Sequence, residues 1–230
     1  MARTTNIIIA IDGPAASGKS TVAALLAKKM GITYLNSGQM YRAITYKCLA
    51  NKISFSDIDK IVEITKNTSF SISANMLLID GKNYKKQVSL PEVENNVSIV
   101  AKIPEVRDIL IKKQREIARN KSIIMDGRDI GTIVFPDATY KFYLDASIET
   151  RAERRCKELA QKFPDQLFSL KKIINEIKDR DNIDMQRNVS PLKQAKDAIL
   201  VDTTRLSIEE MMIQLYNTIK LGKEKNHEHA

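Results

Sequence analysis

An apolar run near the start of the chain leads directly into a glycine-containing loop, and few folds are compatible with this order of residues. Residues 7–11 read Ile-Ile-Ile-Ala-Ile, which predicts a buried parallel strand. Residues 13–20 then fit the pattern G-x-x-x-x-G-K-S, whose backbone N–H groups surround nucleotide phosphates. Apolar residues at helical spacing follow, and Gly31 stands where a helix needs a left-handed cap. A strand, a phosphate loop and a helix in this order predict an α/β protein that binds a nucleotide.

The loop residues have separate expected roles in holding that nucleotide. Gly13 and Gly18 let the backbone wrap around an anion at a helix N-terminus. Lys19 is expected to reach the β- and γ-phosphates, and the Ser20 hydroxyl to ligate Mg²⁺. The predicted nucleotide-binding residues are Gly13, Pro14, Ala15, Ala16, Ser17, Gly18, Lys19, Ser20 and Thr21. The alternative is a glycine turn that matches the motif by chance. The probability of such a match in a chain of this length is roughly one in a hundred.

Composition narrows the class of protein further. The 230 residues can bury one substantial core, and 43% hydrophobic with 28% charged residues is typical of soluble globular proteins. No apolar segment is long enough to span a membrane, and the run at residues 7–11 is too short for a signal peptide. Cys48 and Cys156 are isolated, which argues against a disulfide framework or a metal cluster. We expect a cytoplasmic, monomeric protein that does not interact with a membrane.

The formal net charge of +9 predicts anionic ligands. The lysine pairs are scattered and lack interleaved aromatic residues, so solvated lysines explain the charge better than a nucleic-acid partner does. A GTPase or an ATPase stimulated by nucleic acid stays as a less favoured hypothesis. Residues 51–54, Asn-Lys-Ile-Ser, lack the Asp of the guanine-reading motif N-K-x-D. Small anionic molecules are therefore the expected partners.

Further strands and helices alternate along the chain. Short apolar runs predict strands at residues 32–35, 122–125, 140–145 and 198–202, with helical spacing between them. Together with the first strand they predict a doubly wound, five-stranded parallel sheet.

Residues 53–90 have a different pattern, which predicts a small antiparallel insertion. Residues 69–73 alternate between polar and apolar, residues 76–79 are apolar, and Asp80-Gly81 is a hairpin signal. Residues 84–88 could add a third strand. Helical spacing returns from Glu92 to Asn120.

Two strand ends carry residues that suggest a second anion and a metal. Ser37 and Arg42 follow the second strand, where ligands of open α/β sheets bind, although a capped helix with a surface arginine explains them equally well. Asp126, Arg128 and Asp129 follow the third strand, as do the Mg²⁺-binding acids of Walker-B sites. We favour a functional role for these acids, with Asp126 a candidate Mg²⁺ ligand beside Ser20.

A helical segment near residue 180 carries a third set of charges. Arg180, Asp184 and Arg187 are spaced so that one helix face would hold all three. Taken alone, this spacing is most simply a ladder of solvated ion pairs.

With these motifs in view, the sequence resembles the bacterial cytidylate kinases, which are P-loop kinases of nucleoside monophosphates, over nearly its whole length. The similar stretches are residues 13–21, 37–42, 126–132, 180–187 and 201–210. The sequence departs from the usual family pattern at four positions, with Asn36 in place of Asp, Gln39 in place of a small residue, and Ile183 and Met185 in a normally more charged segment.

The resemblance implies a fold and a reaction. The fold is a P-loop kinase domain over residues 1–230, with an NMP-binding insertion at about 37–120, antiparallel hairpins at about 68–90 and a helical lid at about 149–188. The reaction is transfer of a phosphoryl group from ATP to CMP, and to dCMP, with Mg²⁺. A P-loop kinase for UMP or another small acceptor is the nearest alternative.

The resemblance also assigns roles to individual residues. The residues implied to surround the acceptor phosphate are Ser37, Tyr41, Arg42 and Arg128. Those implied to contact the cytosine are Ser98, Arg107, Asp129 and Arg187, and those near the ribose are Arg180 and Asp184. Arg151, Arg154 and Arg155 would close over the donor, and the implied catalytic set is Lys19, Arg128, Asp129, Arg180 and Arg154. Asp129 has two open roles, since its carboxylate could accept from the cytosine amine or serve Mg²⁺.

Overall fold

The computed structural model describes residues 6–227 and has a five-stranded parallel sheet at its centre, as the sequence predicts. The strands are β1 (Ile8–Asp12), β2 (Thr33–Asn36), β3 (Phe70–Ser73), β4 (Met76–Ile79), β5 (Ile123–Gly127), β6 (Tyr140–Asp145) and β7 (Ile199–Asp202). The helices are α1 (Lys19–Met30), α2 (Ser37–Ala50), α3 (Ile58–Asn67), α4 (Pro91–Val100), α5 (Pro104–Ala118), α6 (Ile148–Lys162), α7 (Leu170–Met185) and α8 (Ile208–His227). A 3₁₀ turn spans Gln87–Ser89 and a π-helical turn spans Ile130–Val134.

The order of strands places the predicted motifs at one edge of the sheet. The order is β2-β5-β1-β6-β7, so β1, which precedes the phosphate loop, is central. All pairs are parallel, and the register sets Asp12 beside Gly127 and Asn36 beside Asp126. The carboxyl ends of β1, β2 and β5 therefore meet, which brings the polar residues at these strand ends close together.

Apolar residues bury both faces of the sheet. One cluster joins β5 with the helices of the insertion, including Met40, Ile44 and Leu110. The other packs β1 against α1 and α8 and includes Leu26 and Leu215. Within residues 6–227, no helix combines the length and apolar composition that crossing a bilayer requires.

The insertion contains one antiparallel pair, and the predicted third strand is wrong. Strands β3 and β4 pair from Phe70–Ile79 to Ser73–Met76. Beyond them, pairing continues only as an isolated bridge between Ile79 and Lys82. Residues 84–88 instead form a local backbone hydrogen bond, in which the N–H of Val88 donates to the Tyr84 carbonyl at 3.0 Å. Val88 is then buried in a small apolar cluster with Ile79.

Two helical regions exceed the prediction. Helix α3 was not predicted, although Asp57 caps its start by accepting from the Lys60 N–H, and Ile61 and Thr65 are buried at helical spacing. The polar composition of residues 222–230 predicts a tail without regular structure, but helix α8 continues to His227. The last three residues of that tail lie outside the described residues.

Helices α6 and α7 form a pair with an apolar cluster of its own. Ser147 caps α6, with its hydroxyl accepting from the Thr150 N–H. Ala152 on α6 packs with Ile173 and Ile177 on α7. This pair occupies the region predicted as a lid.

Candidate active site

The phosphate loop adopts a conformation that requires glycine at its start. Gly13 has φ 147°, and a Cβ there would lie 2.0 Å from the backbone oxygen of Leu144. Gly18 also has a positive φ, 87°, directly before the first turn of α1. The ammonium of Lys19 donates to the Pro14 carbonyl at 2.7 Å. Burial, together with nearby Arg128, lowers the pKa of Lys19 well below its usual value.

The Ser20 hydroxyl and the Asp126 carboxylate form the centre of an oxygen-rich cluster. Ser20 donates to Asp126 at 2.6 Å, and the Tyr34 hydroxyl donates to the other oxygen of Asp126 at 2.7 Å. The Asn36 amide donates to Ser20 at 3.0 Å. Burial raises the pKa of Asp126, while the nearby charge of Lys19 opposes that shift. The prediction that an acid at the end of β5 meets the phosphate loop is confirmed.

A cleft opens next to this cluster, and most of its charged lining is cationic. Among its lining residues are seven cationic side chains, Lys19, Arg42, Arg107, Arg128, Arg155, Arg180 and Arg187, against three carboxylates, Asp126, Asp129 and Asp184. Ala15, Ala16, Ser20, Asn36, Ser37 and Tyr41 line it as well. The excess of cations makes the cleft a site for anions.

Two of these arginines have no carboxylate partner. Within residues 6–227, neither Arg42 nor Arg180 forms an ion pair of 4.0 Å or less, and Arg180 Nε is buried without a hydrogen-bond partner. Burial and the neighbouring Arg128 lower the pKa of Arg180 to about 10. Burial also lowers the pKa of Arg42. Half-buried guanidinium groups without partners are costly, and an anion in the cleft would supply the missing charge.

Asp184 organises the part of the cleft next to helix α7. Its carboxylate accepts from Arg128 Nε at 2.9 Å and lies 3.6 Å from Arg187 Nη1. Burial favours the neutral acid, but Arg128, Arg180 and Arg187 outweigh it and lower the pKa of Asp184. Arg187 lies just beyond the end of α7. Asp184 is buried, so the interpretation of these residues as a solvated ladder is wrong.

Asp129 is paired with Arg107 rather than with Ser20. Arg107 Nη2 donates to Asp129 at 2.5 Å, and Arg107 Nη1 donates to the Ala101 carbonyl at 3.1 Å. The exposed fractions of Arg107 and Asp129 are 1% and 4%. The Arg107 guanidinium also lies 5.2 Å from the centre of the Tyr41 ring. The geometry therefore separates the two acids, with Asp126 beside the phosphate loop and Asp129 on the side of α5.

Other predicted residues lie at or outside the edge of the cleft. Ser37 lines it, but its hydroxyl donates to the Asp126 carbonyl at 2.8 Å. Ser98 is one residue beyond Val97 on α4, and only Val97 lines the cleft. Arg154 donates to the carbonyls of Thr203 and Leu206 and does not line the cleft. The roles expected for Ser98 and Arg154 stay predictions.

The other two arginines of α6 have carboxylate partners. Arg151 is buried, pairs with Asp181 at 2.5 Å and donates to the Ala15 carbonyl of the phosphate loop at 3.2 Å. Arg155 lines the cleft and pairs with Glu94 of α4. The contacts with Ala15 and Glu94 join the predicted lid to the rest of the site, whereas the Arg151–Asp181 pair lies within the lid, between α6 and α7.

Sequence reasoning missed two residues of the site. Tyr34 holds Asp126 from β2, and no local pattern marks a tyrosine on a strand as functional. The buried carboxylate of Asp12 accepts from the N–H groups of Ile130 and Gly131 at 2.8 and 2.7 Å. The acid directly before Gly13, at the end of an apolar strand, was a signal that could have identified it.

Comparisons with known proteins agree with this geometry. The family model described as cytidylate kinase matches residues 9–221. The chain belongs to the cytidylate kinase family. A cytidylate kinase from Caldanaerobacter subterraneus subsp. tengcongensis is 48% identical over 92% of this chain and 94% of its own length. Cytidylate kinases from Clostridium botulinum strain Langeland and Clostridioides difficile strain 630 are 45% and 44% identical, each over 94% of this chain and over 98% and 99% of their own lengths.

The resemblance to cytidylate kinases seen in the sequence is thereby confirmed. A solved structure of an uncharacterized protein from Eubacterium ventriosum has a TM-score of 0.52 and 13% identity, and covers 94% of this chain and 99% of that one. At this identity the likeness supports the fold alone. For a cytidylate kinase family member, the cationic cleft next to the phosphate loop is the candidate active site.

Proposed function

We propose that this member of the cytidylate kinase family transfers the γ-phosphoryl group of ATP to CMP, and to dCMP, to give ADP and CDP or dCDP. The observation that carries the proposal is the cleft itself, where unpartnered cations adjoin a buried Arg107–Asp129 pair. The cations suit two phosphate groups, and the carboxylate suits the amine of a cytosine. Membership of the family supports the same reaction.

The donor is expected to bind at the phosphate loop. Backbone N–H groups of residues 15–18 would surround its β-phosphate, at the positive end of α1. Lys19 donates to the Pro14 carbonyl in this structure and would turn to the β- and γ-phosphates. Burial lowers the pKa of Lys19, and the negative charge of a bound phosphate would raise it again.

The acceptor phosphate is expected to bind between Arg42, Arg128 and Arg180. All three guanidinium groups line the cleft, and each can donate two parallel hydrogen bonds to phosphate oxygens. Their charge would offset the repulsion between donor and acceptor phosphates. Transfer then needs in-line positioning and charge neutralisation rather than a covalent intermediate on the protein.

The residues around Ser20 fit a magnesium ion. Ser20, Asp126 and Tyr34 supply closely spaced oxygen atoms, and oxygen is the ligand atom that Mg²⁺ prefers. The Ser20 hydroxyl would ligate the ion directly, and Asp126 would hold it through water. Bound there, Mg²⁺ would neutralise charge on the β- and γ-phosphates.

The base is expected to be read by Asp129. Arg107 occupies one oxygen of its carboxylate, which leaves the other to accept from the exocyclic amine of cytosine. Uracil carries a carbonyl oxygen at the same place, which would face the carboxylate without a proton between them. A site built around such a hydrogen bond discriminates against the analogue that lacks it, by as much as roughly 10⁴.

A panel assay tests the proposal. ADP release would be measured with ATP, Mg²⁺ and, in turn, CMP, dCMP, UMP, AMP and GMP. We expect the highest kcat/KM with CMP or dCMP. A preference for UMP or for a non-nucleotide acceptor would favour the alternative of another small-molecule kinase. ATP hydrolysis that RNA stimulates, without formation of CDP, would favour a nucleic-acid-dependent ATPase.

A further inference from the structure

The carboxylate of Asp12 holds a segment of backbone that lies 118 residues away in the sequence. Its two oxygens accept from the N–H groups of Ile130 and Gly131 at 2.8 and 2.7 Å. These two amides directly follow Asp129. Asp12 is the last residue of β1, and Gly13 begins the phosphate loop.

Those two amides open a π-helical turn and have no acceptor within it. The bonds of the turn itself run from the N–H groups of Ile133 and Val134 to the Asp129 carbonyl, at 2.9 and 3.1 Å. The first N–H groups of any helical turn lack such partners and need another acceptor. Asp12 supplies both acceptors from a neighbouring strand, and its negative charge suits the positive end of the turn.

The same turn fixes the position of Asp129. Arg107 anchors its side chain, and Asp12 anchors the backbone immediately after it. Gly131 fits closely, since a Cβ at this position would lie 3.4 Å from Asp12 Oδ2 and 3.3 Å from Lys141 Cδ. Without the Asp12 carboxylate, the amides of Ile130 and Gly131 would be buried without acceptors, and the turn would have to shift to satisfy them.

We propose that Asp12 is a positioning residue for acceptor selectivity, because its carboxylate sets the backbone that presents Asp129 to the base of the acceptor. Asp12 does not touch the substrate. Through Asp12, the position of Asp129 is fixed relative to the end of β1, from which the phosphate loop also starts. The distance between the base and the donor phosphates is thereby fixed. This inference rests on the proposed function.

The test is the ratio of kcat/KM for CMP to that for UMP in Asp12→Asn. An asparagine has one acceptor oxygen and an NH₂ group that would face one of the two amides. We expect kcat/KM for CMP to fall by about tenfold to a hundredfold, as loss of a charge-assisted hydrogen bond would predict. UMP makes no use of the Asp129 hydrogen bond, so its kcat/KM should change far less and the ratio should fall. The KM for ATP should stay within about twofold of wild type.

Asp145→Asn is the matched control. Asp145 also ends a parallel strand, β6, and also accepts a backbone N–H, that of Ala146 at 2.8 Å, outside the 130–134 turn. The control should keep the wild-type ratio. If Asp12→Asn does not fold, Gly131→Ala replaces it, since the added methyl group would lie 3.3 Å from Lys141 Cδ, closer than an ordinary contact, and the resulting shift of the Gly131 amide relative to Asp12 should lower the ratio in the same direction.

The outcomes separate this inference from the proposed function. If the wild-type enzyme itself did not discriminate between CMP and UMP, the proposed reading of the base would be wrong. If the wild type discriminates and the folded Asp12→Asn variant keeps the same ratio, the role of Asp12 is refuted while the function stands. An equal loss with both acceptors would also refute it, because it would indicate a general structural role.

Discussion

The hydroxyl of Ser20 lies 2.6 Å from a carboxylate oxygen of Asp126, although 106 positions separate the two residues in the sequence. The parallel pairing of β1 with β5 brings them together, since it sets the end of each strand beside the other. One residue opens the helix after the phosphate loop and the other ends the neighbouring strand. Their contact joins the expected donor site to the expected acceptor site.

Replacing Lys19 by Ala should abolish phosphoryl transfer while the protein stays folded. Among the described residues 6–227, the Lys19 ammonium donates only to a loop carbonyl, so its role is expected to be with phosphate rather than with the core. Removing one such charge from a transfer site costs about 10² to 10³ in kcat. CDP formation and the thermal midpoint would be measured together. A folded variant with near wild-type activity would contradict the assignment of the phosphate loop.

Replacing Tyr34 by Phe should raise the Mg²⁺ concentration that gives half-maximal activity. The change removes one hydrogen bond to Asp126 and leaves its charge in place. We expect a shift of up to about tenfold, the size expected for one hydrogen bond to a charged group. Tyr46→Phe is the control, because Tyr46 packs on Tyr84 in the insertion. An unchanged Mg²⁺ profile for Tyr34→Phe would show that Tyr34 only packs.

Replacing Asp184 by Asn should raise the KM for CMP and leave the KM for ATP nearly unchanged. The loss would free Arg128 and Arg187, which Asp184 holds at 2.9 and 3.6 Å. Because the charge of a buried carboxylate is removed, we expect an effect of about 2–3 kcal/mol on acceptor use. The exposed Asp179 on the same helix provides the control, Asp179→Asn. Equal losses for donor and acceptor would contradict the acceptor role.

Replacing Asp129 by Ala should lower kcat/KM for CMP much more than for UMP. The reason is that cytosine loses the acceptor of its amine, whereas uracil loses an unfavourable neighbour. If Asp129 served Mg²⁺ instead, both acceptors would suffer equally, and added Mg²⁺ would partly restore activity. The ratio of the two kcat/KM values, measured at two Mg²⁺ concentrations, distinguishes these cases.

The stability of the protein should depend on pH through Asp12. Burial raises the pKa of Asp12 from 3.8 to about 7, although the Ile130 and Gly131 amides and Lys19 oppose this shift and Asp129 adds to it. The folded state therefore binds a proton that the unfolded chain has released, so the contribution of Asp12 is full below pH 4 and is lost as the pH rises towards 7.

Urea unfolding of wild type and Asp12→Asn between pH 5 and pH 8 would measure this dependence. Relative to the variant, the wild type should lose about 2–3 kcal/mol over this range. Taking the difference removes the titration of groups common to both proteins, apart from those that face Asp12, namely Lys19, Asp129 and Tyr143. A difference that does not change with pH would contradict the raised pKa.

Much of this fold could be predicted because its signals are local. The apolar runs gave the five parallel strands, and the loop from Gly13 to Ser20 gave the expected site for phosphate. The antiparallel pair was found, but residues 84–88 contain Tyr84 and Val88, whose strand-like pattern gave no sign of the local turn that they form. There a turn and the burial of Val88 overrode the propensity for a strand.

Contacts between distant segments were harder to predict. Spacing placed Arg180, Asp184 and Arg187 on one face but could not show that Arg128, directly after β5, meets that face. The same holds for Arg154, whose carbonyl partners follow β7, about fifty residues later. Periodicity describes a helix in isolation, whereas these side chains obtain their partners from the packing of other elements.

The apolar cluster between α6 and α7 has a consequence for turnover. Ala152, Ile173 and Ile177 give this helix pair a core separate from those that cover the sheet. The pair can therefore move away as one body, breaking the contacts of Arg151 with the Ala15 carbonyl and of Arg155 with Glu94, while each sheet face stays covered and the Arg151–Asp181 ion pair within the pair is kept. Substitutions in this α6–α7 cluster are expected to change the rate of nucleotide release without lowering the melting temperature of the rest of the enzyme.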